Sequence, residues 1–121
     1  MAKMPKTRPE LGKASEEAEA IATRILTDSH LSAIKRMLEK DHAIDCLLLL
    51  YLNRGKWKEA KSYMQQLGLT LSDGTFRSRM IEIEHNNLAK SHPIDPLKKY
   101  YTITGKGEKL VQLLINLFKN L

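Results

Sequence analysis

The spacing of apolar residues along the chain predicts a series of amphipathic helices joined by short polar turns. Apolar side chains first recur at helical intervals after Ser15, a favourable N-cap, and this pattern predicts a first helix over about 15–27. A second helix is predicted to begin after Asp28 and to end near Lys40. Residues 1–13, which include two prolines and four basic residues, are predicted to form a flexible arm.

Two further helices are predicted in the middle of the chain. Residues 41–53 are apolar on most sides, so this helix is expected at the centre of the core, and Arg54-Gly55 is expected to end it. The next helix is predicted over 56–67, and Gly68 is expected to end it because a left-handed residue often follows a helix. Four of its residues are predicted to face inward: Trp57, Ala60, Met64 and Leu67.

A fifth helix is predicted over 72–87, with Ser72 as its N-cap. Its apolar side, which is expected to face the core, carries Phe76, Met80 and Ile83, and its opposite side carries Gly74, Ser78, Ile81 and His85. Residues 92–96 contain two prolines between β-prone runs, so a β-hairpin is predicted over 88–104. A last helix with a broad apolar face is predicted over 105–121. The predicted fold is therefore mainly α with a small β-hairpin.

The composition is that of one ordinary globular domain. Hydrophobic residues make up 42% of the 121 residues and charged residues 28%, which predicts a single domain over 14–121. The single cysteine, Cys46, excludes an intramolecular disulfide, and its apolar surroundings predict a buried thiol. A chain without disulfides fits a reducing cytoplasm, which is the expected location. We expect no secretory signal and no membrane span, because no apolar run approaches the ~20 residues that a span requires.

Catalytic chemistry finds little support in the sequence. The four histidines lack a metal-ligand spacing, and neither a glycine-rich phosphate loop nor a nucleophile motif is present. We therefore expect no enzyme activity, no metal and no cofactor.

The net charge of +6 is unevenly distributed along the chain. Residues 1–13 carry four bases and one acid, residues 54–61 carry four bases and one acid, and residues 98–121 carry five bases and one acid. Residues 14–53, by contrast, carry seven acids and four bases. If the basic clusters meet on one face, they predict contact with a polyanion, although a charge that only keeps the protein soluble explains the same numbers.

Two segments resemble bacterial and archaeal winged helix-turn-helix regulators of the MarR, PadR and HxlR kind. Residues 72–84 read Ser-Asp-Gly-Thr-Phe-Arg-Ser-Arg-Met-Ile-Glu-Ile-Glu, in which a small polar cap precedes a Gly-Thr pair. Residues 101–107 read Tyr-Thr-Ile-Thr-Gly-Lys-Gly and are similar to the Tyr-x-Leu-Thr-x-x-Gly signature that ends the wing in those families. The resemblance covers about 41–110. It departs at Asn87, where those families usually have glycine, although asparagine also tolerates the left-handed conformation.

This resemblance implies a winged-helix core over about 41–104, with extra N-terminal helices before it and a C-terminal helix over 105–121. It also implies a sequence-specific transcriptional regulator that binds double-stranded DNA, with a recognition helix over 72–87 in the major groove. The hairpin over 88–104 is then the wing, on the DNA backbone or in the minor groove. The residues expected to contact DNA are Lys56, Lys58, Lys61, Ser72, Gly74, Thr75, Arg77, Ser78, Arg79, Lys98 and Lys99. Among these, Arg79 flanks the buried side and is expected to pair with an acid or a phosphate rather than to read bases.

The last helix carries more leucine than one contact with a small core requires. In similar regulators the terminal helices form a dimer interface, so a homodimer is expected through Leu110, Leu113, Leu114, Leu117 and Phe118. The alternative is that these side chains only complete the core of the monomer.

Two other functions remain open. The acidic positions 73, 82 and 84 favour a protein-interaction module that uses a winged helix as its scaffold. A replication or plasmid-type factor would use the same DNA-binding chemistry at a different target. The sequence indicates no small-molecule effector.

Overall fold

The computed structural model describes residues 9–121 of the chain. In this part, six helices and two strands follow one another in the order α1 (Pro9–Thr27), α2 (Ser29–Leu38), α3 (Ala43–Tyr51), α4 (Trp57–Gln66), α5 (Asp73–His85), β1 (Ala89–Asp95), β2 (Lys98–Ile103) and α6 (Gly105–Lys119). The two strands form one antiparallel sheet. The protein is therefore mainly helical with a small hairpin, as predicted. The part of the predicted arm at 1–8 lies outside the described residues.

The chain divides into two compact units, and the boundary falls between Lys35 and Arg36, inside α2. In the first unit, α1 already includes Pro9, so the prediction that this helix begins at Ser15 is wrong, and residues 9–13 are helical rather than part of an arm. Proline is well tolerated in the first turn of a helix, where its missing N–H would have no intrahelical partner.

Asp28 sets the start of α2. Its carboxylate accepts hydrogen bonds from the backbone amides of His30 at 2.9 Å and Leu31 at 3.2 Å, which are donors that a helix start leaves without partners. The predicted restart after Asp28 is therefore confirmed, and α2 ends at Leu38, two residues before the predicted end at Lys40.

The core of the second unit is built around α3, which is buried on most sides as predicted. Its fully buried side chains include Cys46, Leu47, Leu49 and Leu50. The other elements of this unit add one buried face each, with Met64 from α4, Met80 and Ile83 from α5, Tyr101 from β2 and Val111 from α6. Burial, with a smaller contribution from the charge of Asp45, raises the pKa of the Cys46 thiol to about 12. Cys46 is thus buried, as the sequence predicted, and its raised pKa keeps the thiol protonated.

The turn after α4 corrects one inward-facing prediction. Leu67 is 56% exposed, because α4 ends at Gln66 and Leu67 is the C-cap rather than part of the buried face. Gly68 follows with φ of 75°, and the amide of Leu69 donates to the carbonyl of Met64 at 2.9 Å. Gly68 therefore ends α4 as predicted, through a left-handed residue that reverses the chain.

The segment before α4 lies against the hairpin. The amide of Tyr101 donates to the carbonyl of Gly55 at 3.0 Å, and a Cβ on Gly55 would overlap the carbonyl oxygen of Tyr101. Gly55 thus permits a close backbone approach, while the left-handed residue after α3 is Asn53, with φ of 60°. The prediction that Arg54-Gly55 ends α3 is corrected on this point.

The hairpin runs from Ala89 opposite Ile103 to Asp95 opposite Lys98, within the predicted limits of 88–104. Its register is irregular between Pro93 and Asp95. At the tip, the Asp95 carboxylate accepts a hydrogen bond from the amide of Leu97 at 2.8 Å, which fixes the turn.

Thr104 joins the end of the hairpin to the start of α6. Its hydroxyl accepts the amide of Gly107 at 3.0 Å as an N-cap and donates to the carbonyl of Asn87 at 2.8 Å. Asn87 has φ of 62°, so it takes the left-handed position expected after α5. A Cβ on Gly107 would overlap the carbonyl oxygen of Leu88. The Thr-x-x-Gly spacing noted in the sequence therefore combines a helix cap with a close backbone approach.

Candidate nucleic-acid interface

The exposed face of α5 is set by its cap and its buried side. The hydroxyl of Ser72 accepts the amide of Thr75 at 3.1 Å and donates to the hydroxyl of Thr75 at 2.9 Å. Three apolar residues of the helix are buried as predicted: Phe76, Met80 and Ile83. The opposite side is consequently exposed, and it carries the four residues that the helical spacing predicted: Gly74, Ser78, Ile81 and His85.

A groove of about 480 Å³ lies between α4, α5 and the β1–β2 hairpin, and we call it the helix–hairpin groove. Apolar side chains line much of it: Trp57, Phe76, Ile81, Ile94, Leu97 and Tyr101. The rings of Trp57 and Phe76 pack together, with 5.3 Å between their centroids. Sequence reasoning missed this groove, because its walls come from three separate elements.

Five cationic side chains line the same groove: Lys56, Lys58, Arg77, Lys98 and Lys99. All five residues are exposed. They come from the start of α4, from α5 and from β2, so two of the basic clusters of the sequence meet here. Such a convergence creates a positive potential that attracts anions. The structure thus brings together five of the seven basic residues that were predicted to contact DNA.

One acid, Asp73, lies among these cations. Its carboxylate accepts a hydrogen bond from the Arg77 guanidinium at 2.8 Å, with the two side chains 49% and 66% exposed. An exposed ion pair one helical turn apart contributes little stability, about 0.3–0.5 kcal/mol. Arg77 can therefore exchange Asp73 for a phosphate or a base edge at small energetic expense.

Glu84 joins α5 to the hairpin. Its carboxylate accepts the hydroxyl of Ser91 at 2.7 Å and the amide of Ser91 at 3.2 Å. The hydrogen bond from the Ser91 hydroxyl lowers the pKa of Glu84 below its usual 4.5, and the bond from the amide and the charges of Lys99 and His85 act in the same direction against partial burial. The acid therefore has a structural partner, and it fixes the hairpin relative to α5.

Arg79 and Glu82 are directed toward the α2–α3 connection rather than into the groove. The Arg79 side chain is only 14% exposed; its Nε lies 3.1 Å from Glu82 Oε1, without hydrogen-bond alignment, and its Nη1 donates to the carbonyl of Asp41 at 3.1 Å. Glu82 also lies 3.6 Å from Lys40. Arg79 thus pairs with an acid, which is one of the two roles expected for it. Its side chain is held away from the groove and is not part of the candidate interface.

The remaining predicted contact residues divide into three groups. Gly74 and Ser78 lie on the open face of α5, whereas the hydroxyls of Ser72 and Thr75 bond to each other in the cap. Lys61 is exposed on α4 but does not line the helix–hairpin groove.

The five residues of α6 predicted to form a dimer interface also divide. Leu110 and Leu114 are partly buried and pack against the core of the second unit. Leu113, Leu117 and Phe118 are exposed by 61%, 52% and 56%. Part of the leucine-rich face therefore completes the core, and part of it remains on the surface.

Within the described residues, no group of histidine, cysteine, aspartate and glutamate side chains is placed to hold a metal ion. Among residues 9–121, no helix combines the length and apolar character that crossing a bilayer requires. Comparison with protein-family models, with curated proteins and with solved structures gives no match to this chain. A function is therefore inferred from the geometry of the groove and of α5.

Proposed function

We propose that the unit at 36–121 is a winged helix-turn-helix domain that binds double-stranded DNA as a sequence-specific regulator. In this proposal α4, the turn at Gly68 and α5 form the helix-turn-helix, and the β1–β2 hairpin is the wing. The observation that carries the proposal is the convergence of five cationic side chains on the helix–hairpin groove, beside the open face of α5.

The geometry of α5 supports entry of its N-terminal half into a major groove. Gly74 and Ser78 leave that half of the exposed face small and polar, and Arg77 adds a long donor that can reach guanine or phosphate. The two later acids of the helix, Glu82 and Glu84, are engaged by side-chain or backbone partners within the chain. The lysines from α4 and β2 then contact the phosphates of the backbone on either side.

The acids of α5 also bear on the protein-interaction alternative. That alternative depended on free acidic positions at 73, 82 and 84, and all three are paired within the chain. The exposed charge that remains around the groove is positive, which favours a polyanion over a basic protein surface. A replication or plasmid-type factor would share the same interface, so only the location of its target distinguishes it.

The salt dependence of DNA binding tests the proposal. Each phosphate contact contributes about −0.9 to the slope of log K against log salt concentration. We expect the double substitution Lys58→Ala with Lys99→Ala to reduce the magnitude of that slope by about 2, because it removes two phosphate contacts. The measurement is a fluorescence-anisotropy titration of a mixed-sequence duplex at several salt concentrations.

Lys61→Ala is the matched control, because Lys61 is an exposed lysine of α4 outside the groove. It should leave the slope at its wild-type value. If wild-type protein shows no affinity for duplex DNA at low salt, or if Lys61→Ala matches the double variant, the proposed interface is wrong.

We also propose that the regulator is a homodimer formed through the exposed part of α6. Leu113, Leu117 and Phe118 lie on this face with Leu121, which is 90% exposed. An isologous contact between two copies would cover all four side chains, and its two-fold symmetry would suit a pseudo-palindromic site with half-sites about one helical turn apart.

A further inference from the structure

We infer that Ile81 reads a thymine in the DNA target, through contact between its aliphatic side chain and the 5-methyl group of that base. The inference rests on the proposed function, and it adds the identity of one base that the target must contain. It makes the chain sensitive to pyrimidine 5-methyl groups in the major groove, a property that contacts to phosphate do not supply.

Ile81 is the one exposed apolar side chain of α5. It is 41% exposed, whereas the other large apolar side chains of this helix are no more than 3% exposed. Isolated apolar side chains are common on protein surfaces, so exposure by itself indicates nothing. The position of Ile81 is informative, because it lies with Gly74 and Ser78 on the open face that is proposed to enter the major groove.

The chemistry of the major groove offers an apolar side chain one partner. The base pairs present hydrogen-bond donors and acceptors there, and the 5-methyl group of thymine is the apolar group among them. The side chain of Ile81 has no hydrogen-bonding atom, so contact with a donor or acceptor would desolvate that group without replacing its bond to water. Its branched Cβ also restricts χ1, so Ile81 presents a stiff apolar surface to a methyl group.

The face around Ile81 allows the helix backbone to come close to the base edges. An isoleucine side chain is short, so it reaches a methyl group only where the helix lies deep in the groove. A Cβ on Gly74 would meet no atom within 4 Å, and Gly74 is not among the residues with positive φ. Glycine weakens a helix relative to alanine, and the fold does not require it at this position. Close approach of DNA gives a reason for it.

Arg77 indicates a second base of the same half-site. It lies one helical turn before Ile81, and it can exchange its exposed partner Asp73 for a guanine. Four residues advance a helix by about 6 Å, which corresponds to about two base-pair steps of about 3.4 Å. The expected half-site therefore has a guanine and a thymine within about two base pairs of each other.

Base analogues test the contact directly. The full chain first selects a site from a random-sequence duplex pool, and the selected duplex is then synthesised with uracil in place of each thymine in turn. This replacement removes the 5-methyl group and keeps every hydrogen-bonding group of the base. We expect uracil at one position of each half-site to weaken binding about three- to fivefold in fluorescence anisotropy, the factor for one buried methyl group. Uracil at the other positions should have little effect.

Substitutions locate the contact on the protein. Ile81→Ala is expected to bind the thymine and uracil duplexes equally, and it should retain the fold because the position is exposed and alanine favours a helix. Ile94→Ala is the matched control, because Ile94 is 47% exposed and lines the same helix–hairpin groove from β1. It should keep the preference for thymine, since the methyl group projects into the major groove and the hairpin is proposed to lie outside it.

5-Methylcytosine gives an independent readout of the same contact. The thymine–adenine pair at the sensitive position is replaced by a cytosine–guanine pair, with or without the 5-methyl group on cytosine. We expect the methylated duplex to bind more tightly than the unmethylated one, again by about three- to fivefold, and Ile81→Ala to bind both equally. A methyl group that brings no gain to the wild type would overturn the inference.

Failure of this inference differs from failure of the proposed function. A chain that selects no duplex and has no affinity for DNA at low salt would refute the DNA function, and with it the reading of a base. A selected site without thymine, a site that tolerates uracil at every position, or a thymine preference that survives in Ile81→Ala would refute the inference alone.

Discussion

Gly107 shows how a single missing side chain shapes the junction between the hairpin and α6. Its Cα lies so close to the Leu88 carbonyl oxygen and to Ile103 that a Cβ would overlap both. We expect Gly107→Ala to reduce the free energy of unfolding by about 1–3 kcal/mol, as other overpacked sites do, because the clash is with backbone that cannot rotate away. Urea denaturation of the variant and the wild type measures the difference.

Gly105 is the matched control for this substitution, two residues earlier in the same helix. A Cβ on Gly105 would have no atom within 4 Å, so Gly105→Ala should change the unfolding free energy by no more than about 0.5 kcal/mol. If both variants unfold at the same urea concentration, the overlap at Gly107 is relieved by a backbone shift and the junction is less rigid than described.

The hydrogen bonds between Glu84 and Ser91 join α5 to β1. The pKa of Glu84 is lower in the folded protein than its usual 4.5, so the ionised carboxylate stabilises the fold at pH values above about 4.5. As pH falls below that value toward the folded pKa, this contribution is lost. We expect wild-type stability to decline more steeply with acid than that of Ser91→Ala, which lacks the dominant hydrogen bond.

Urea unfolding at a series of pH values between about 6 and 3 tests this expectation. Glu84→Gln provides a second comparison, because its amide does not titrate in this range. Parallel curves for the wild type, Ser91→Ala and Glu84→Gln would show that the joint between α5 and the hairpin does not depend on the charge of Glu84.

The elements themselves were largely predictable, because helical spacing of apolar residues and strong local signals decide them. Ser72 correctly predicted the start of α5, and Gly68 correctly predicted the end of α4. Both signals were readable because a helix cap and a left-handed turn depend on neighbouring residues alone. The predicted start of α1 was wrong, because the sequence around Pro9 does not distinguish a proline in the first turn of a helix from a proline in a loop. The helix–hairpin groove could not be predicted, because it depends on how closely the hairpin approaches α4 and α5.

Some predicted contact residues line the groove and others do not, and the sequence could not separate them for the same reason. Helical spacing placed Arg77 and Ser78 on the outside, but it could not show that Arg79 would reach the carbonyl of Asp41, 38 positions earlier. Likewise, spacing could not separate Lys58, which lines the groove, from Lys61, which does not. Contacts between distant parts of the chain decide which charges a ligand can use.

The proposed dimer predicts that the mass of the particle in solution depends on protein concentration. We expect the chain to sediment as a dimer in analytical ultracentrifugation, and Leu117→Glu to shift it toward the monomer by placing a charge in the apolar contact. Leu117 is 52% exposed in the isolated chain, so the substitution should leave the fold intact. A monomer that stays monomeric at high protein concentration would contradict the dimer.

Gln112 offers a control on the same helix, because it is also exposed but polar. Gln112→Glu adds the same charge to α6 without entering the exposed leucine-rich face. It should leave the sedimentation unchanged. Equal dissociation of both variants would indicate that net charge, rather than the leucine face, governs association.

The buried thiol of Cys46 can report on transient opening of the core. The thiol is fully buried within α3, and its raised pKa keeps it protonated, so a thiol-specific reagent cannot react with the closed molecule. Labelling of Cys46 therefore proceeds only through states in which the core has separated, and its rate measures the population of those states under native conditions. Any ligand that binds the closed form, as proposed for duplex DNA, should slow this labelling as its occupancy rises.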